Sequence, residues 1–488
     1  MRPVRGGDRP LAGARRGNNL ALLAALLPLL PTDAFAHASE RGHVLILPTG
    51  YYLVGGALAV AASFAVLALL RGHALERAYA ARLPVGRLGD GGRLATSLLS
   101  FAFLAALVAA GFFGSRDPLS NPLPLTVWTL LWVGLTLVQG LFGNLWRWID
   151  PWYGPWRLAM RLAGRDAAAA PPLVLPAWLS MWPVLFLLLC FAWFELVYPA
   201  PDDPEKLALA VGLYWLVSFA ATLAFGHAEW SRRGEFLTVF FAMVARFGIV
   251  ERTPAPDGAS RLALCLPGAK LAGTGPLPLS GTLFLLAALG SVSFDGFSKT
   301  FFWLGWNGIN PLDYPGRTAM TGINGFGLLA ASVLLTAAYL VSVAAGEALA
   351  RGRQHGLAAA AGLLVWSIVP IALAYHFAHY LTALLVNGQY ALVALSDPFA
   401  RGWNLFGTAW WPVEAALATG SAAAWTIWNL QATAIIGGHV LAVLAAHRLA
   451  FRLHPTPRAA LLSQLPLTVL MVAYTVLGLW LLSTPTVG

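Results

Sequence analysis

The sequence predicts an all-α polytopic membrane protein: a bundle of about ten transmembrane helices behind a cleaved signal peptide. Three observations carry this. Hydrophobic residues make up 58% of the chain and charged residues only 11%, less than half the ~25% of an ordinary soluble domain. Mean hydropathy is +0.69, and apolar runs long enough to cross ~30 Å of hydrocarbon recur along the chain. Twenty Trp, 26 Phe and 12 Tyr suit many bilayer interfaces, while 49 Gly and 32 Pro suit helices that are punctuated inside a bundle.

The amino terminus reads as a targeting segment over 1–36. Arg2, Arg5, Arg9, Arg15 and Arg16 precede an apolar run over 20–30 that ends at Pro31, and the small-residue triplet Ala34-Phe35-Ala36 follows. Such a run is too short to span a bilayer but has the length of a signal core, which places cleavage before His37. Gly17-Asn18-Asn19 after the arginine pair favours ordinary export over the twin-arginine route. The competing reading is a short uncleaved anchor.

Residues 37–488 then form a single transmembrane helical domain, with spans near 51–70, 94–113, 125–143, 177–198, 207–226, 281–302, 326–346, 357–380, 422–447 and 466–483. Each is expected to be helical, because a helix satisfies its own backbone in lipid. Counted from an exported His37, the inward loops hold twenty basic residues and the outward segments six, the signal accounting for the other five of 31. That asymmetry fits the positive-inside rule, so the +10 net charge reports orientation and argues for no nucleic-acid partner. The chain is expected in a bacterial inner membrane with both mature termini periplasmic. Cys190 falls in a span and Cys265 in an inward loop, so no disulfide is expected between them.

Two inward segments and two outward ones have their own character. Trp146, Trp148, Trp152 and Trp156, interleaved with Arg147, Arg157 and Arg161, suggest a segment lying at the headgroups. Residues 234–249 are apolar but short, hence a re-entrant or surface helix. Outward segments near 299–325 and 387–420, rich in Gly, Asn, Trp and Pro, read as folded lids.

No P-loop, dinucleotide fingerprint, nucleophile elbow or zincin motif occurs. The informative groups are polar residues where a span should hold few. His376 and His379 end the eighth span; their i, i+3 spacing puts both imidazoles on one helix face, which suits a shared metal ion or, alternatively, hydrogen bonds to neighbouring helices. His37 and His43 lie on the same outer side, and a mature His37 would offer both its α-amino group and imidazole, as in the histidine brace of copper oxygenases; otherwise this is a plain polar terminus. Asp295, in Ser293-Phe294-Asp295-Gly296-Phe297, is a candidate metal ligand or general base, or a partner for Lys299. Asn429, Gln431 and Gln139 read as interhelical hydrogen-bonding groups, and His439 as a packing residue or part of an ion path.

Several runs together resemble the bacterial polytopic proteins known as fenitrothion hydrolases: His37 to His43 with Leu47-Pro48-Thr49-Gly50, Phe142 to Arg147, Ser293 to Phe297, Ala374 to Tyr380, Gly388-Gln389 and Ser396-Asp397-Pro398. The resemblance covers most of the mature chain. It implies membrane-bound hydrolysis of the P–O–aryl bond of an organophosphorothioate triester, releasing a nitrophenol, and supplies no residue-level mechanism. A divalent ion, zinc or copper or another, on His376 and His379 with Asp295 or the His37 terminus would generate the hydroxide. Trp303, Trp306, Trp403, Trp410 and Trp411 are candidates to line a pocket for a small apolar aromatic substrate drawn from the bilayer, or else belong to an interfacial belt. Two other classes stay open at this point: a transporter or metal-handling assembly component, with His439 and Gln431 at mid-membrane and a second membrane subunit as partner, and a copper-binding oxidase-type protein.

Overall fold

The computed structural model describes residues 49–69, 72–166, 169–255, 259–351, 355–415 and 420–487; the signal segment, His37 and His43 lie outside them. Among the described residues nine helices are long and apolar enough to cross a membrane, and the chain is a multi-pass membrane protein. In chain order the helices are α1 (Thr49–Leu69), α2 (Gly72–Ala80), α3 (Arg93–Phe113), α4 (Pro122–Phe142), α5 (Trp146–Ile149), α6 (Tyr153–Leu162), α7 (Trp182–Leu196), α8 (Pro204–Phe225), α9 (His227–Arg233), α10 (Phe236–Val244), α11 (Leu279–Ser298), α12 (Phe301–Trp306), α13 (Arg317–Ala350), α14 (Leu357–Ser396), α15 (Ser421–Leu453) and α16 (Pro457–Ser483). The predicted fourth span is helical only over the fifteen residues of α7; Pro183 starts it, and Pro199 and Pro201 stop the chain from continuing it.

Helix α11 occupies the middle. Its small residues Gly281, Ala287, Ala288, Gly290, Ser291 and Ser293 let neighbouring backbones approach, and 89% of its most apolar window is buried, against 17% for the peripheral α1 and α13. Close backbone contact recurs at Gly346, where a Cβ would meet the Ser463 carbonyl at 2.0 Å. The core packs Phe284, Leu286, Tyr339, Trp366 and Met471 together. Pro370, whose ring cannot donate a backbone N–H, sits just past a tight turn at Val365–Ile368 within α14. Most of α4 (Leu125–Leu135) is a wide π-helix.

Three findings depart from the sequence reading. Two of the loops expected to face inward build a sheet, β1 (Leu83–Leu88), β2 (Val250–Pro254) and β3 (Ser260–Leu264), antiparallel in the order β1-β3-β2. It went unpredicted because its strands are short and β1 is far in sequence from the β2–β3 pair. Three of the four tryptophans expected at the headgroups turn inward: Trp146, Trp152 and Trp156 are buried, Trp146 against Phe241 and Trp152 against Tyr214, and of the two arrangements expected for 234–249, a helix resting on the surface does not fit α10, which is buried nearly throughout. Finally, α13 begins at Arg317 and α14 runs on to Ser396, so the two segments expected as outward lids are helical over 317–325 and 387–396. Asn387-Gly388-Gln389 does not end α14, because Ala391 and Ala394 continue its apolar face against Leu125.

At the sheet end of the bundle, Asp90 joins Arg147 (2.5 Å) and Arg252, and Lys270 Nζ donates to the Val250 carbonyl (2.7 Å). Burial pushes the Lys270 ammonium down to about 8. Cys190 and Cys265 are free.

Candidate functional site

The opposite end of the bundle concentrates buried ionisable side chains where α7, α11 and α14 meet. Asp295, 4% exposed, is the hub. Its Oδ2 pairs with His379 Nε2 at 2.6 Å and accepts from Tyr380 Oη at 3.1 Å, while its Oδ1 meets Lys299 Nζ at 2.8 Å. The spacings follow from helix geometry: Lys299 is one turn beyond Asp295 on α11, and His379 and Tyr380 lie on the side of α14 that faces it. Tyr380 Oη also contacts Glu195 Oε1 at 3.0 Å, so one phenol bridges two carboxyl groups. Arg317, at the start of α13, donates to the carbonyls of Glu195 (3.0 Å) and Tyr198 (3.3 Å) and holds the end of α7 in place.

His376 is on the same helix but has a different partner. Buried at 3% exposure, its Nε2 contacts the Trp132 carbonyl at 2.8 Å within the π-helical part of α4, and its ring stands edge-on to Trp132 and Tyr380. The i, i+3 face thus exists, and Tyr380 lies against both imidazoles, but the two Nε2 atoms bond to different groups. Among the described residues no three His, Cys, Asp or Glu side chains converge as metal ligands. His37 and His43 lie outside those residues. Of the expected donors among the described residues, His379 and Asp295 meet each other and His376 bonds elsewhere.

No protein-family model, curated protein or solved structure matches this chain. The site therefore has to be judged on its own geometry.

The sequence singled out Asp295 and His379, which the fold brings together, and His376, which it holds one turn away. It passed over Tyr380 and under-weighted Glu195, although a carboxyl group inside the apolar run Leu185 to Leu196 was itself a signal. Of the candidate pocket tryptophans, Trp306, Trp403, Trp410 and Trp411 are exposed on the outer loops, and Trp303 Nε1 donates to Asn324 Oδ1 (3.0 Å).

A second tier of polar contacts lies nearby. Ser293 Oγ pairs with Tyr474 Oη at 2.5 Å, Tyr375 Oη donates to the Tyr474 carbonyl at 2.9 Å, and Gln431 Nε2 donates to the Ala378 carbonyl at 2.7 Å. These bonds cross between α11, α14, α15 and α16, which makes the polar network part of the helix packing.

Proposed function

We propose that this chain is a proton-translocating transport protein, in which the Asp295 cluster takes up and passes on the proton whose movement drives a solute. The observation that carries the reading is the Glu195–Tyr380–Asp295 bridge. A phenol has one proton to donate, yet Tyr380 Oη lies within hydrogen-bond distance of two carboxyl groups. Both contacts are satisfied when one carboxyl carries a proton and donates it to the phenol while the phenol donates to the other. Asp295 already faces a lysine and a histidine, so the shared proton rests on Glu195. Shifting it along the bridge moves a charge between α7 and α11, through the phenol of α14, with little atomic displacement, as a relay requires.

The distribution of basic residues supports the orientation: the arginine-rich sheet end faces the cytoplasm of a bacterial inner membrane, and the Asp295 cluster and both mature termini face the periplasm. The test is proton uptake into proteoliposomes loaded with a pH-sensitive dye, driven by a potassium diffusion potential. Wild-type vesicles should acidify faster than empty ones, and Asp295→Asn or Glu195→Gln should slow this about a hundredfold. Wild-type vesicles no faster than protein-free liposomes sink the reading.

A second reading rests on the Asp295–His379 pair itself. A carboxylate fixing one imidazole nitrogen leaves the other as a general base. His379 Nδ1 lies beside Gly296, whose missing side chain leaves it room: a Cβ there would come within 3.7 Å. With that base, water attacks the phosphorus of a fenitrothion-type triester, its proton passes to His379, and the nitrophenolate leaves. Absorbance of released nitrophenol from wild type, lost in His379→Ala, is the expected result; equal release from both would end this alternative.

A further inference from the structure

His439 is fully buried near the middle of α15, about 27 Å from Ser421 and about 21 Å from Leu453 along the helix. Its Nδ1 lies 2.8 Å from the Ile435 carbonyl, which fixes the proton there and leaves Nε2 with a free lone pair. That Nε2 has no partner among the described residues. The titratable side chains beside it are Tyr375 of α14 and Tyr474 of α16; α1 has none from Gly55 to Leu69. Neither phenol serves Nε2, because Tyr375 Oη is spent on the Tyr474 carbonyl and Tyr474 Oη on Ser293. A bare acceptor nitrogen in hydrocarbon costs free energy unless something uses it.

Continuity points the same way. Tyr474, whose ring lies beside that of His439, also lines a small apolar crevice with Leu289, Tyr339 and Met471. Ser293, bonded to Tyr474, is two residues from Asp295. Toward the sheet end, His447 lies two turns along α15, in contact with Gln464 at 3.4 Å, and Gln464 Oε1 is likewise buried without a partner.

We infer that His439 is the mid-membrane proton station of this protein, its Nε2 accepting a proton from a water on the Asp295 side and returning it to a water on the His447 side. In the first half an O–H bond of the donor breaks as Nε2–H forms; in the second half Nε2–H breaks, while Nδ1–H stays on Ile435. The histidine is unchanged overall. This rests on the transport reading above.

The experiment measures proton uptake, in the same vesicles, for His439→Ala and Asp295→Asn, with and without added imidazole, and the ¹⁵N spectrum of histidine-labelled wild-type protein in bilayers. Expected are a loss of about tenfold or more in His439→Ala that imidazole reverses, and a His439 resonance with Nδ1 protonated and Nε2 bare. Uptake within twofold of wild type in His439→Ala while Asp295→Asn is slow removes His439 and leaves the transport reading standing. Full uptake in both variants removes both. A loss that imidazole does not reverse, or a protonated Nε2, assigns His439 to packing and overturns the station, whether or not the alanine variant folds well.

Discussion

Among the described residues are two aspartate–histidine pairs of nearly equal length, set in different surroundings. At the sheet end Asp150 Oδ2 meets His227 Nε2 at 2.7 Å; at the other end Asp295 Oδ2 meets His379 Nε2 at 2.6 Å. Asp150 gives its remaining acceptors to the fold: Oδ1 takes the Trp152 amide, and its own carbonyl takes the Ser97 hydroxyl. His227 is packed against Tyr153 and Trp156, and Arg93 lies over Tyr153. Arg93 also stands 4.0 Å from Asp150 Oδ2. The Asp295 carboxylate, by contrast, meets, among the described residues, side chains only: Lys299, His379 and Tyr380, with Glu195 next in line. An aspartate–histidine pair is thus read from its remaining partners. Backbone partners make a joint; titratable partners are what the proposed relay needs.

Substitutions can break this distinction, the strongest first. Asp150→Ala should cost about 3 kcal/mol or more, because it strands buried His227 and Arg93, yet leave proton uptake per folded molecule unchanged; Asp295→Asn should do the reverse. Thermal unfolding in detergent beside vesicle uptake reads both, and equal loss of stability in the two would erase the contrast. Gly346→Ala should cost about 1–3 kcal/mol by forcing α13 off the Ser463 backbone, again without slowing folded protein. Tyr380→Phe cuts the bridge but keeps the ring, and uptake should fall about tenfold with a stability loss of about 1 kcal/mol.

The smallest effect is at Lys270. Its folded value, about 8, lies below its ordinary 10.5, so between these values the unfolded chain binds more protons and stability rises with pH. Below pH 8 both states are protonated and the burial penalty is constant. Lys270→Met should flatten the slope between pH 8 and 10 in unfolding temperatures and leave uptake untouched; an unchanged slope would place the effect on another group.

The spans were legible because hydrocarbon imposes one rule on every crossing, and the run from Leu279 to Ser298 declared its central place through glycine, alanine and serine. Asp295 and His379 stood out for a related reason, as polar groups near the ends of apolar runs. Their pairing was not legible, since it depends on the rotation of α11 against α14. Tyr380 went unnoticed because a tyrosine at a span's end ordinarily reads as an interfacial anchor. The sheet was invisible for want of local signal: β1 and β3 pair across more than 170 residues, with an irregularity between Pro84 and Gly86.

The last residues of the chain return to the cluster. Thr486 pairs with Thr300, the Phe301 amide donates to the Pro485 carbonyl, and the Val487 amide donates to the carbonyl of Lys299 itself. The carboxyl-terminal tail is therefore a backbone splint on the residue that neutralises Asp295. For anyone handling this protein, a purification tag or reporter fused beyond Val487 pulls directly on the backbone of that lysine.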